Sequence, residues 1–211
     1  MLRISTQCYT CYHWLPRILS QFRERFPGID LQIVPEATHN PIGALLAQEL
    51  DLAIVHRNQE VEGIETTRLF VDELVAIVPP DHRLAGRRWL KPEDCRDETL
   101  IVHFYEPEGP LVATEFLWPA GVEPFRVLEL QLTDAVLESV KSGLGITVMA
   151  QWAVAPEIRD GSLVQVRLGR KGLGRAWYAA VPAGRARLPA LDALVGLLEK
   201  NALKEVKRRS R

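Results

Sequence analysis

Leu69-Phe70-Val71-Asp72-Glu73-Leu74-Val75-Ala76-Ile77-Val78-Pro79-Pro80-Asp81-His82 is the stretch that decides how the chain is organised. Leu69 to Val78 reads as an extended run. Two consecutive prolines, which lack a backbone N–H and push the preceding residue out of the helical region, then end it abruptly. The reading predicts a strand that carries the chain out of one lobe and a crossing into a second.

Upstream, strands alternate with helices. Leu2 to Ser5 is a short strand, and Trp14, Leu15, Ile18, Leu19, Phe22 and Phe26 follow at helical spacing before a stop at Pro27-Gly28. Pro16 falls early in that helix, where a missing N–H costs least, and Thr10 stands where a cap is expected. The unit repeats as strand Leu31 to Val34, helix Pro41 to Glu49 and strand Leu52 to Val55, apolar enough to be buried on both faces. Alternation of this kind predicts a parallel sheet.

Downstream a second series follows. Helices are expected over Pro92 to Asp97, Gly109 to Trp118 and Asp134 to Lys141, with strands over Leu100 to His103, Phe125 to Leu130 and Ile146 to Ala150. A short helix near Trp152 to Arg159 and a strand Leu163 to Leu168 come next, then a glycine-rich loop over Gly169 to Gly174. Trp177 to Val181 is a strand that can return the chain to the first lobe. There Leu191, Leu194, Leu197 and Leu198 give the helix Pro189 to Leu203 its apolar face. The resulting division is residues 1–78 with 180–211 as lobe I and residues 79–179 as lobe II, joined by two crossover strands.

At 211 residues the chain is long enough for two small cores, and a formal charge of -1 from 26 basic and 27 acidic residues leaves no basic stripe for a phosphate backbone. This segment by itself is not expected to hold DNA. The basic end with Lys204, Lys207, Arg208, Arg209 and Arg211 reads as a solvated terminus. No apolar run approaches bilayer-spanning length and no signal sequence is present, so a cytoplasmic location without membrane contact is expected. Three cysteines, Cys8, Cys11 and Cys95, are an odd number in a chain too large to need staples, which suits reduced thiols.

Several short motifs occur in an order that resembles the regulatory domain of LysR-type transcriptional regulators. They are Leu2-Arg3-Ile4-Ser5, Leu15-Pro16, the stretch from Phe22 to Phe26-Pro27, Leu50-Asp51-Leu52-Ala53-Ile54-Val55, and Leu69-Phe70 leading to Leu74-Val75-Ala76-Ile77-Val78-Pro79. The turn Asp81-His82-Arg83-Leu84-Ala85 and the run Gly143-Leu144-Gly145-Ile146 complete the set. The resemblance implies an α/β fold of two Rossmann-like lobes, periplasmic-binding-protein-like of type II, with a small-molecule effector held between the lobes. It further implies a homodimer or tetramer in which the first helix pairs with a helix of the other lobe. A winged helix-turn-helix precedes this domain in the family and is absent from this sequence, so operator DNA is reached only through that missing part. Cys8-Tyr9-Thr10-Cys11 with Trp14-Leu15, Pro119-Ala120-Gly121-Val122 with Pro124, Thr133, and Tyr178-Ala179-Ala180-Val181 resemble the branch that activates methionine-biosynthesis genes in response to homocysteine. His13, His56 and His103 stand outside that branch's pattern.

Open α/β sheets bind ligands at strand C-terminal ends. The expected effector residues are therefore Gln7, Cys8, Tyr9 and Thr10 after the first strand, His56 after the strand ending at Val55, His103 and Phe104 after the strand from Leu100, and Thr133 from lobe II. Donors for a carboxylate, acceptors for an ammonium and a soft wall for a side chain are all in this set. Competing readings stay open at this level: Thr10 and Thr133 as helix caps, Asp134 as a helix-dipole complement, and the two histidines as ordinary loop or core residues. Cys8 and Cys11 have metal or redox spacing beside His13, but without a second matched pair, free thiols are the simpler reading. No cofactor is expected. A periplasmic-type solute receptor for an amino acid or small carboxylate is the alternative function. An enzyme ranks below it, because no Ser-His-Asp order, phosphate loop or Glu-x-x-His spacing occurs.

Overall fold

The computed structural model describes residues 1–58, 60–102, 109–184 and 188–209. It forms two compact units, residues 1–71 with 175–209 and residues 72–174. The chain passes from one to the other inside two long strands, several residues before the crossings expected from sequence. The tandem proline marks where the first long strand ends rather than where the division falls.

In the first unit, β1 (Leu2–Thr6) leads through a 3₁₀ turn (Tyr9–His13) into α1 (Leu15–Arg25), then β2 (Leu31–Ile33), a 3₁₀ turn (Pro35–His39), α2 (Pro41–Leu46), β3 (Leu52–Val55) and the start of β4 (Ile64–Val78). Pro16 sits in the first turn of α1 as anticipated, whereas Thr10 lies inside the 3₁₀ turn and the α1 cap position is Trp14, which offers no capping side chain. Leu15, Ile18 and Phe22 are the buried face of α1. β1 lies parallel to both β2 and β3, with Ile4 opposite Ile33 on one side and Leu52 on the other. β3 is buried throughout, but β2 is an edge strand and stays partly exposed, so the expectation of burial on both faces fails there. An edge strand has one neighbour, and half its surface meets water.

The second unit holds the remainder of β4, then β5 (Trp89–Leu90), a 3₁₀ turn (Pro92–Cys95) and β6 (Thr99–Val102). A π-helical turn (Ala113–Leu117) runs into another 3₁₀ turn (Trp118–Ala120), followed by β7 (Arg126–Glu129), α3 (Thr133–Lys141) and β8 (Ile146–Ala150). A 3₁₀ turn (Gln151–Val154), α4 (Ala155–Arg159) and β9 (Val164–Leu168) complete it. Its strands run β4-β8-β6-β7, with β9 on β4 and β5 on β9. β6 is parallel to β7 and β8, while β8 and β9 are antiparallel to β4. The core collects Val75, Ile77, Ile101, Val136, Leu137, Val140, Met149, Val154 and Leu163. Two residues of β5 are too few to show any alternation, and the sequence reading missed that strand.

β10 (Leu173–Pro182) brings the chain back to the first unit, antiparallel to β3, and α5 (Pro189–Arg209) closes that unit against α1. Asn201 donates to Gln21 at 3.3 Å, and Arg17 reaches Glu205 at 3.6 Å across the same contact.

Two of the motifs turn out to be structural. In the Asp81-His82-Arg83-Leu84-Ala85 turn, the Leu84 N–H donates to His82 Nδ1 at 3.3 Å. His82 Nε2 and Arg83 meet the two oxygens of the buried Glu98 carboxylate at 3.3 and 2.7 Å, which pins the turn to the unit. The Gly143-Leu144-Gly145 run ends α3: Gly143 N–H donates to Val140 O at 2.9 Å and Leu144 N–H to Ser139 O at 3.0 Å, with Gly143 at φ +75°. This paired bonding is the Schellman stop that a left-handed glycine permits. Gly145 is required for another reason, since a Cβ there would collide with the carbonyl oxygen of Thr99. Gly145→Ala should therefore cost about 1–3 kcal/mol in urea unfolding, because backbone rather than a flexible side chain has to move. An unchanged midpoint would show that the β6 end yields freely.

Candidate functional site

β1 and β3 are parallel neighbours, with Thr6 opposite Ile54, so their C-terminal ends emerge side by side. Gln7 stitches them together. Its N–H donates to Ile54 O at 3.0 Å, and its Oε1 accepts from the His56 N–H at 3.1 Å. Beyond Gln7 the chain turns tightly, the Cys11 N–H donating to Cys8 O at 3.0 Å. Thr6 Oγ1 holds the start of this turn by accepting from the Cys8 N–H at 3.3 Å and donating to Cys8 O at 3.4 Å. Cys8 is the extended residue that precedes the 3₁₀ turn, and Cys11 lies inside the turn.

The two thiols are hydrogen-bonded to one another, and Cys8 Sγ also lies 2.8 Å from Thr10 Oγ1. Cys8 is half-buried and Cys11 fully buried. The hydrogen bond with Cys11 holds the Cys8 thiol well below the ordinary range, helped by the positive charge of Arg175 and by Thr10, against the opposing effect of burial. Burial pushes Cys11 well above that range, and the proximity of Cys8 adds to it. The surroundings thus push the two sulfurs in opposite directions. Cys95, in the second unit, is buried and pushed up to about 12, first by desolvation and then by Asp94 and Glu98.

β10, the neighbour of β3 in the sheet, adds two further residues. Arg175 and Trp177 are two apart and share a face of the strand, with the guanidinium carbon 4.4 Å from the indole centroid. His56 meets Trp177 edge-on at 5.8 Å, Phe70 stacks on Trp177 at 6.0 Å, and Trp14 abuts Phe70 at 5.7 Å. Of the residues expected from sequence, Gln7, Cys8, Thr10 and His56 come together here, and Tyr9 opens the 3₁₀ turn between them. Thr133 belongs to the second unit, where it is the first residue of α3 and not its cap, a position held by Leu132. Asp134 stands in the first turn of that helix, as its reading as a dipole complement requires. His103 and Phe104 lie outside the described residues. Among the described residues no group of three or more His, Cys, Asp or Glu is placed to hold a metal. Arg175 and Trp177 escaped the sequence reading. A lone arginine entering an otherwise apolar strand was the one available signal.

The LysR substrate binding domain family matches residues 1–202, nearly the whole chain. The chain belongs to this family. As a LysR substrate-binding domain it is 31% identical over 194 residues to the HTH-type transcriptional regulator MetR of Escherichia coli K12, covering 92% of this chain and 61% of that protein. The regulatory domain of the LysR-family regulator MetR from N. meningitidis superposes with a TM-score of 0.87 at 31% identity, covering 97% of this chain and 94% of that one. A form of that domain with two cysteines three positions apart replaced by serine superposes at 0.88 with 30% identity, covering 96% and 94%. The LysR domain thus spans about three fifths of its full-length E. coli relative. Its fold is the periplasmic-binding-protein-like type II fold of LysR effector-binding domains.

Proposed function

We propose that this domain is the effector sensor of a MetR-like regulator that responds to homocysteine and controls methionine-biosynthesis genes. The observation that carries the reading is the 31% identity to a MetR protein over 92% of the chain. The chemistry of the first unit supports it. Arg175 can meet a carboxylate, the Gln7 and Thr10 side chains lie within the same few residues, and the Cys8 and Trp177 side chains offer the soft, polarisable surface that a sulfur-containing side chain prefers. The other residues expected from sequence, Tyr9, His103, Phe104 and Thr133, complete the proposed effector set. The solute-receptor alternative is not favoured, because the matched relatives are transcriptional regulators. Among the described residues no helix is long and apolar enough to cross a membrane.

The switch works by differential affinity: an effector that prefers one arrangement of the domain raises the population of that arrangement, which a DNA-binding part reports to an operator. Homocysteine at about a hundred times its Kd should stabilise the domain by about 2.7 kcal/mol in a thermal-shift panel, and methionine should do less. Equal shifts for the two, or none, would remove the effector assignment.

The domain should also form a two-fold dimer. α1 borders a groove of about 470 Å³ lined by Tyr12, Leu15, Leu19, Arg23, Ile29 and Leu31, beside edge strand β2. Symmetric pairing is the commonest way to cover such a face. Leu19→Glu should move the mass measured by light scattering from dimer to monomer. A wild-type domain that is already monomeric at high concentration would defeat the expectation.

A further inference from the structure

Two short basic runs, Arg87-Arg88-Trp89-Leu90-Lys91 and Arg167-Leu168-Gly169-Arg170-Lys171, are far apart in the sequence, and neither is long enough to stand out as a basic stripe. The fold of the second unit puts them side by side. β5 is parallel to β9, with Trp89 opposite Arg167 and Leu90 opposite Leu168, and the Gly169 N–H donates to Leu90 O at 2.9 Å. Six exposed cations and no acid therefore lie on two adjacent segments, in a chain whose formal charge is only -1. Protection of a sheet edge does not account for the cluster, since the two-residue strand β5 is already too short to invite pairing.

The six cations differ in what holds them. Arg167 Nε donates to Glu73 at 2.7 Å, and its terminal nitrogens donate to the Arg170 and Lys171 carbonyls at 3.5 and 3.3 Å, which fixes the turn that carries those two residues. Arg87 lies 3.8 Å from Asp94. Arg88, Arg170 and Lys171 form no ion pair among the described residues. Trp89 organises two of these: the Arg88 and Arg170 guanidinium carbons each lie 5.6 Å from its ring centroid, so they are no more than twice that distance apart. Packing on an indole steadies planar guanidinium forks that would otherwise sweep through solvent. Like charges held at this spacing repel one another, and an anion that spans them removes the repulsion. A nucleic-acid duplex carries a phosphate about every 3.4 Å along each strand, so each of these cations has one to meet. The ring itself is taken up by the arginines, which favours contact with phosphates over stacking on bases.

We propose that the β5–β9 edge is a contact surface for the phosphate backbone of duplex DNA, in which Arg88, Arg170 and Lys171 each neutralise a phosphate. The choice of duplex DNA over an acidic protein rests on the regulator reading above. Contacts of this kind set position and read no bases, so the choice of operator stays with the DNA-binding part.

The test is fluorescence anisotropy of a labelled mixed-sequence duplex titrated with this domain at a series of salt concentrations, with no effector present. The log–log slope of affinity against salt should be about -2.7, the value for three phosphates, which is a loss of about 40-fold between about 50 and about 200 mM. Arg88→Gln and Arg170→Gln should each reduce the steepness by about 0.9 while circular dichroism melting stays unchanged, a signature that loss of fold would not give. Arg88→Glu combined with Arg170→Glu should abolish binding. Lys204→Glu with Lys207→Glu, on the basic end of α5, should leave it unchanged, and a duplex of unrelated sequence should bind within about twofold. No binding at about 50 mM salt would overturn the proposal. So would an α5 variant as damaging as the double variant at Arg88 and Arg170, or displacement by polyglutamate of matched charge as effective as displacement by unlabelled duplex, which would mark an acidic protein as the partner. Because no effector enters the assay, its failure leaves the homocysteine reading untouched, and failure of the homocysteine melting shift leaves the DNA contact standing.

Discussion

Trp177→Ala should lower the unfolding free energy by about 3–5 kcal/mol, the usual cost of emptying a fully buried indole site. Trp177 has no exposed surface and is the hub of the aromatic group in the first unit, stacked on Phe70 at 6.0 Å, edge-on to His56 at 5.8 Å and covered by Arg175 at 4.4 Å. Removing it leaves a cavity that the paired strands β3 and β10 cannot close, because their register is held by hydrogen bonds between Val55, Ile54, Ala53 and their partners Tyr178, Ala179, Ala180. Trp177→Phe should lose much less. Urea unfolding followed by circular dichroism reads the global loss, and amide exchange should quicken first in β3 and β10. A drop below about 1 kcal/mol would mean that neighbouring side chains refill the site.

Trp152→Ala should cost a similar amount, about 3–5 kcal/mol, in the second unit. The ring is buried, and its Nε1–H donates to the buried Asp72 carboxylate at 2.9 Å across 80 positions of sequence. Two terms add here, lost packing and a lost hydrogen bond to a charged group. Trp152→Phe separates them, keeping most of the ring while removing the donor, and should lose about 1.5–3 kcal/mol. Asp72→Ala tested with Trp152→Phe in a double-mutant cycle measures the coupling itself. Additive losses would show that the bond stabilises nothing beyond its packing.

Much of the secondary structure was legible because it rests on local rules. β3 and β8 occupy the expected residues, since a short apolar run bounded by turn signals has few other uses. α1 followed from the spacing of Trp14, Leu15, Ile18 and Phe22 and from Pro16 in its first turn. Gly109 to Trp118 differs: it was expected as an ordinary helix, and from Ala113 it is a π-helical turn continuing into 3₁₀ geometry. Apolar periodicity does not distinguish hydrogen bonds to the fourth residue from those to the fifth. The supposed caps Thr10 and Thr133 were misplaced by one to several residues. Capping depends on the local backbone angles, which residue type constrains only loosely.

The sequence alone determined the family and the alternation of strands and helices. It also determined that residues after β1 and β3 would be candidates for a site, since βα connections put loop residues at strand ends whatever the details of packing. The tertiary structure decided which residues share that site. Arg175 and Trp177 come to Cys8 and His56 only because β10 pairs antiparallel with β3, with Tyr178 opposite Val55. Nothing local to residues 173–182 encodes that partner. Strand pairing is chosen by the free energy of the whole assembled sheet, and the burial that separates the two thiols chemically exists only once that sheet has formed.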